Sequence, residues 1–77
     1  MPMTEHVEVE CYSGHTYAQR PRFFTWQGHR HRVEAVERTW RTPQGPHFRV
    51  RTASFSAELV YNETQDRWLL LSVSEFS

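Results

Sequence analysis

The chain has 77 residues, a formal net charge of zero and one cysteine, Cys11. That length allows one domain, residues 1–77, around one small core, and a lone cysteine excludes an intramolecular disulfide. A secreted domain of this size would normally be stapled by several bridges, so the expected compartment is a reducing cytoplasm.

Five Phe, three Tyr and three Trp supply the core, since each such side chain can bury ~150–250 Å². The opening MPMTEHVEVE has neither the basic nor the apolar region of a signal peptide. The longest apolar run, Trp68-Leu69-Leu70-Leu71, falls far short of the ~20 residues of a membrane helix, so no membrane partner is expected.

In chain order, Val7, Val9 and Cys11 alternate with His6, Glu8 and Glu10, the period-two pattern of a half-buried strand. An irregular segment follows from Ser13-Gly14 to about Gln19. A second strand runs from Arg22 to Trp26, with Pro21 at its start, where a missing N–H does least harm. Gln27-Gly28 fits a two-residue hairpin turn, which needs positive φ. That turn sets the pairs Trp26–His29, Phe24–His31 and Arg22–Val33. One face then carries Phe24, Trp26, His31 and Val33. The other carries Phe23, Thr25, Arg30 and Arg32. A three-residue loop would exchange the partners of every side chain.

Residues 33–40 are ambiguous. Val33, Val36 and Trp40 have helical spacing, which leaves a short helix near 34–40 as the alternative. Flanking strands and Pro43 favour one long strand with a β-bulge near Glu34–Ala35, which would put Val36 and Trp40 on one face. Thr42 to Pro46 is a turn by composition. Phe48, Val50 and Thr52 mark a fourth strand, and Phe55, Ala57, Leu59 and Tyr61 a fifth. Asn62 to Asp66 is a polar turn. Trp68 to Val73, apolar at nearly every position, reads as a sixth strand covered on both faces. The expected fold is all-β: about six short antiparallel strands in a meander, rolled into a small barrel or half-barrel.

The succession V-E-C-Y-S-G, P-R-x-F-x-W-x-G, R-x-W, F-R-V-R-T and L-x-Y…R-W covers most of the chain. It resembles a family of small uncharacterised bacterial proteins of about this length. It also resembles a related domain of unknown function, built on F-x-W-x-G-x-x-Y-x-V, found alone or at the end of Y-family translesion polymerase-like proteins. Phe24, Trp26, Gly28 and Val33 match that pattern, while His31 stands where an aromatic is usual. The resemblance implies the hairpin register above and carries no activity with it.

Four constellations bear on function. His29 and His31 share a strand face, and His47 or Cys11 could complete a tetrahedral metal site. No C-x-x-C or H-x-x-x-H pairing supports one, so both histidines read as edge-of-core residues and no cofactor is expected. Cys11 and His15 could be nucleophile and base, but Cys11 has the parity of Val7 and Val9 and reads as a small buried side chain. No catalytic residue and no enzyme activity are expected.

The third constellation is charge. All nine cations are Arg, and eight lie between Arg20 and Arg51 against Glu34 and Glu37 alone, a net +6. Phe23, Arg30 and Arg32 share the outer face of the hairpin, and Arg49 and Arg51 that of the fourth strand. If the third and fourth strands are neighbours, these form one basic face with an aromatic beside it, the chemistry of a single-stranded nucleic-acid surface. Against it stand cross-strand pairing with acids and the zero net charge, where a dedicated binder has a high pI. The fourth is edge. An exposed strand could pair with a protein partner, or with a second copy in a homodimer. The favoured expectation is a non-enzymatic binding or interaction module, with a single-stranded nucleic-acid binder as the alternative and a metal- or thiol-dependent enzyme behind both.

Overall fold

The computed structural model describes residues 5–11 and 21–75. The predicted irregular segment Ser13–Gln19 lies outside these, as does His15, the suggested partner of Cys11. The chain is all-β, with seven strands: β1 (Glu5–Cys11), β2 (Pro21–Trp26), β3 (His29–Arg32), β4 (Ala35–Thr42), β5 (Gly45–Arg51), β6 (Phe55–Asn62) and β7 (Arg67–Glu75). They form one sheet in the order β3-β2-β1-β7-β6-β5-β4, every pair antiparallel. Two meanders, β1–β3 and β4–β7, are joined by β1, whose first half pairs with β7 and second half with β2. The result is a curled half-barrel.

The hairpin register follows from its turn. Gln27 and Gly28 have φ of 52° and 77°, the two positive values of the turn that matches strand twist. Trp26 therefore faces His29, and Phe24 faces His31. The Val33 N–H donates to the Arg22 carbonyl at 2.8 Å, as the two-residue turn requires.

The predicted long third strand is two strands. Between β3 and β4 the chain changes partners: Val33 still bonds to β2, whereas the Glu34 N–H donates to the Arg51 carbonyl of β5 at 2.7 Å. These two residues join opposite ends of the sheet order and roll it into the half-barrel. No helix forms at 34–40. The bulge lies at Glu37, between Val36↔Val50 and Arg38↔Arg49, not at Glu34–Ala35. One extra residue inverts the parity beyond it, so Val36 packs against the core while Trp40 stacks on His47 of β5, centroids 5.2 Å apart. The two were expected on one face and lie on opposite ones.

The core gathers Phe24 and Val33 with Phe48, Val50, Phe55, Ala57, Leu59, Tyr61, Trp68 and Leu70. Leu59, Leu70 and Val50 are fully buried. Val60 and Leu69 are buried as well, yet lie outside that cluster, in the cross-sheet row Trp40–His47–Val60–Leu69. That is why Trp68, Leu69 and Leu70 read as an unbroken apolar run: consecutive residues serve opposite faces.

Turns are tighter than composition indicated. Only Pro43-Gln44 separates β4 from β5, so the fourth predicted strand starts at Gly45 rather than near Phe48. Gly45 has φ +143°, and a Cβ there would stand 2.1 Å from the Tyr61 carbonyl oxygen. Between β5 and β6, buried Thr52 accepts from the N–H groups of Ser54 and Phe55, each at 3.2 Å, and donates to the Phe55 carbonyl at 3.1 Å. This small knot fixes where Ser54 and Phe55 stand.

Candidate functional site

The Arg-rich face divides in two. On the hairpin, Phe23 lies opposite Arg32 on one side and Glu10 on the other. The Arg30 guanidinium lies 3.9 Å from the Phe23 ring centroid and reaches across it to Glu10 with two hydrogen bonds of 2.8 Å. This stacked, bidentate geometry is available to Arg and not to Lys. The Arg30 hydrogen bonds hold the Glu10 carboxyl below the usual carboxylate range, and Glu10 in turn raises Arg30. The expected face is present, but its central guanidinium is engaged and covers the ring meant to stack on a base.

Arg49 and Arg51 occupy the other part of the sheet. Arg49 stands 3.8 Å from Glu37 and 3.9 Å from Glu58, and Arg51 is 3.8 Å from Glu37. The strand beside β5 is β4, not β3. The predicted adjacency of the third and fourth strands therefore holds only for residues 35–42, and Arg30 and Arg32 belong to the other meander. Arg41 pairs with Glu63 at 2.8 Å. Arg38 lies over the Trp40 ring at 5.3 Å.

The histidines scatter. His29 and His31 have ring centroids 6.4 Å apart, and His31 packs among Phe24, Trp26 and Phe55. His47 is on β5, buried, with Nε2 2.8 Å from Thr42 Oγ1. Its Nδ1 has no hydrogen-bond partner among the described residues, and burial lowers its pKa below the ordinary 6.5, a nearby Glu58 opposing. Cys11, half-buried on β1, packs against the core. Among the described residues no three His, Cys, Asp or Glu side chains come together as a metal site.

What the sequence reading missed is a groove of about 400 Å³ at the end of the half-barrel, lined by Trp26, Gln27, Ser54, Phe55, Val73 and Glu75. The hairpin turn supplies Trp26 and Gln27, the Thr52 knot places Ser54 and Phe55, and the end of β7 supplies Val73 and Glu75. Trp26 and Phe55 stand edge to face, centroids 5.5 Å apart at 64°. Trp26 is only partly buried, while its Nε1 is buried without a hydrogen-bond partner among the described residues. What its ring shows the groove is therefore carbon. A sequence signal for this place existed. Glu75 has the parity of Val73, so it puts a carboxylate on the core face of a strand.

No known family model, curated protein or solved structure matches the chain. No helix among the described residues is long and apolar enough to cross a membrane.

Proposed function

We propose that the protein is a non-enzymatic, cytoplasmic binding module that takes a segment of a protein partner into the groove between Trp26 and Phe55. The observation that carries this reading is the groove itself. It is concave and lined by Trp26, Phe55 and Val73 together with the polar Gln27, Ser54 and Glu75, and apolar side chains with a few polar groups are the usual make-up of a binding site.

Recognition by strand pairing, including a homodimer, has less support. The β3 edge is four residues of His and Arg, and the β4 edge carries a bulge with Arg38 and Arg41. Short length, charge and bulging are the devices that discourage edge pairing. A photo-crosslinking residue at Gln27, on the groove rim, is expected to capture a partner that the same residue at Arg67 does not. Val73→Arg, which fills the groove, should abolish the capture. Equal capture from both positions, or capture indifferent to Val73→Arg, would overturn the reading.

A second reading, single-stranded nucleic acid on the hairpin face, rests on Arg32, which is exposed beside Phe23 with no ion pair among the described residues. It predicts that Arg30→Ala/Arg32→Ala weakens oligonucleotide binding and flattens its salt dependence. With Arg30 committed to Glu10, the expected result is binding too weak for the double substitution to alter.

A further inference from the structure

We propose that the groove recognises an alkylammonium group, the side chain of a lysine or methylated lysine presented by the partner. The inference rests on the groove reading above and names the chemistry of its occupant.

Three observations converge. First, Glu75 lies directly opposite Phe55 in the β6–β7 ladder, which puts the two Cβ atoms ~4.5–5.5 Å apart on one face. Second, no hydrogen bond or ion pair engages the Glu75 carboxylate among the described residues. Glu10, Glu37, Glu58 and Glu63 each meet an arginine, and of the other described glutamates, Glu5, Glu8, Glu34 and Glu75, it is Glu75 that lines the groove. Third, no cationic residue lines the groove. It therefore offers one uncompensated negative charge, with an indole ring and a phenyl ring set at an angle beside it.

A site of that kind suits a particular ligand. The aliphatic stem of a lysine buries against Val73 and Phe55, as such stems do along apolar surface. The ammonium is attracted both to the carboxylate and to the face of the tryptophan, the best cation–π partner among the aromatic side chains. An acidic ligand would meet the Glu75 charge, and a purely apolar one would leave that carboxylate partly desolvated without a counter-charge. N-methylation keeps the positive charge and adds apolar surface, so it is expected to tighten binding where the two rings supply most of the attraction.

The test is a titration of the full-length ¹⁵N-labelled chain with three probes: the N-acetyl methylamides of lysine, trimethyllysine and norleucine. The two cationic probes are expected to shift the Trp26 indole N–H and the Glu75 amide, and to bind about tenfold more tightly than norleucine. Added salt should weaken only the cationic probes. Glu75→Gln, at an exposed position, should weaken both cationic probes and narrow their advantage over norleucine. A trimethyllysine preference indicates that the rings dominate, and equal binding that the carboxylate does. Norleucine binding as tightly as lysine, or lysine binding unaffected by Glu75→Gln, overturns the proposal and leaves the groove as an apolar docking site. No shift at Trp26 with any probe overturns it as well, while capture at Gln27 continues to judge the groove by itself.

Discussion

At the scale of single residues, this sequence shows why side-chain types mark a surface more readily than they assign it. Arginine beside an aromatic reads equally as a nucleic-acid face and as an internal pair. What separates them is a third residue, Glu10, on a strand that the spacing of Phe23, Arg30 and Arg32 does not specify. His47 carries a similar lesson. It alternates with Phe48 and faces away from the main core, yet Trp40 covers it because a bulge turned that ring over. The consequence is a dependence of stability on pH. Burial lowers the folded-state pKa of His47, so at mildly acidic pH the unfolded chain binds more protons than the folded one. The stability that His47 provides by staying neutral is whole above the unfolded pKa of about 6.5 and declines as pH falls below it, levelling off once the folded pKa is passed. Urea midpoints are expected to fall between pH 7.5 and 5.5, with His47→Gln flattening part of that slope. An identical slope in the substituted chain would relieve His47 of that role.

At the scale of elements, the strands that could be read from sequence were those governed by local chemistry. Gln27-Gly28 determines its hairpin, because two positive φ values leave one register. The segment 33–42 could not be read this way, since its break and its bulge are set by partners far along the chain, Arg22 on one side and Arg51 and Val50 on the other. The two described glycines separate these causes. Gly28 has open space where a Cβ would stand and only its φ of +77° to defend, so Gly28→Ala should cost ~1–2 kcal/mol, the ordinary penalty of a left-handed non-glycine residue. Gly45 has both an unfavourable φ and a backbone carbonyl where a Cβ would go. Neither can yield without disturbing the β4–β5 turn or β6. Gly45→Ala is expected to cost more than ~3 kcal/mol, at the severe end for a single substitution. Denaturation of the two variants side by side checks the order, and similar losses would show that the Tyr61 carbonyl gives way easily.

At the scale of the whole molecule, the all-β class and the half-barrel follow from alternation and short connections, whereas the groove depends on closure. Trp26, Phe55 and Glu75 come from β2, β6 and β7 and are separated by 29 and 20 residues in the chain, so no local pattern brings them together. Closure rests on Val33 and Glu34, the two residues by which the chain leaves one meander for the other. Val33 is 8% exposed and belongs to the same buried cluster as Phe24 and Phe55. Removing two methyl groups there costs about 1.6 kcal/mol in transfer alone, and the residual cavity adds to it. Because both meanders share this one core and share β1, that loss is expected to appear as a lower midpoint of a single cooperative transition in Val33→Ala, with fluorescence of the tryptophans and far-ultraviolet dichroism coinciding. If the meanders were separate units held together only by the connection, the same substitution would split the curves. Trp26, on the β1–β3 side, would then lose its environment before Trp40 and Trp68 on the other. The groove should fail with the first of those steps, since its walls come from both sides.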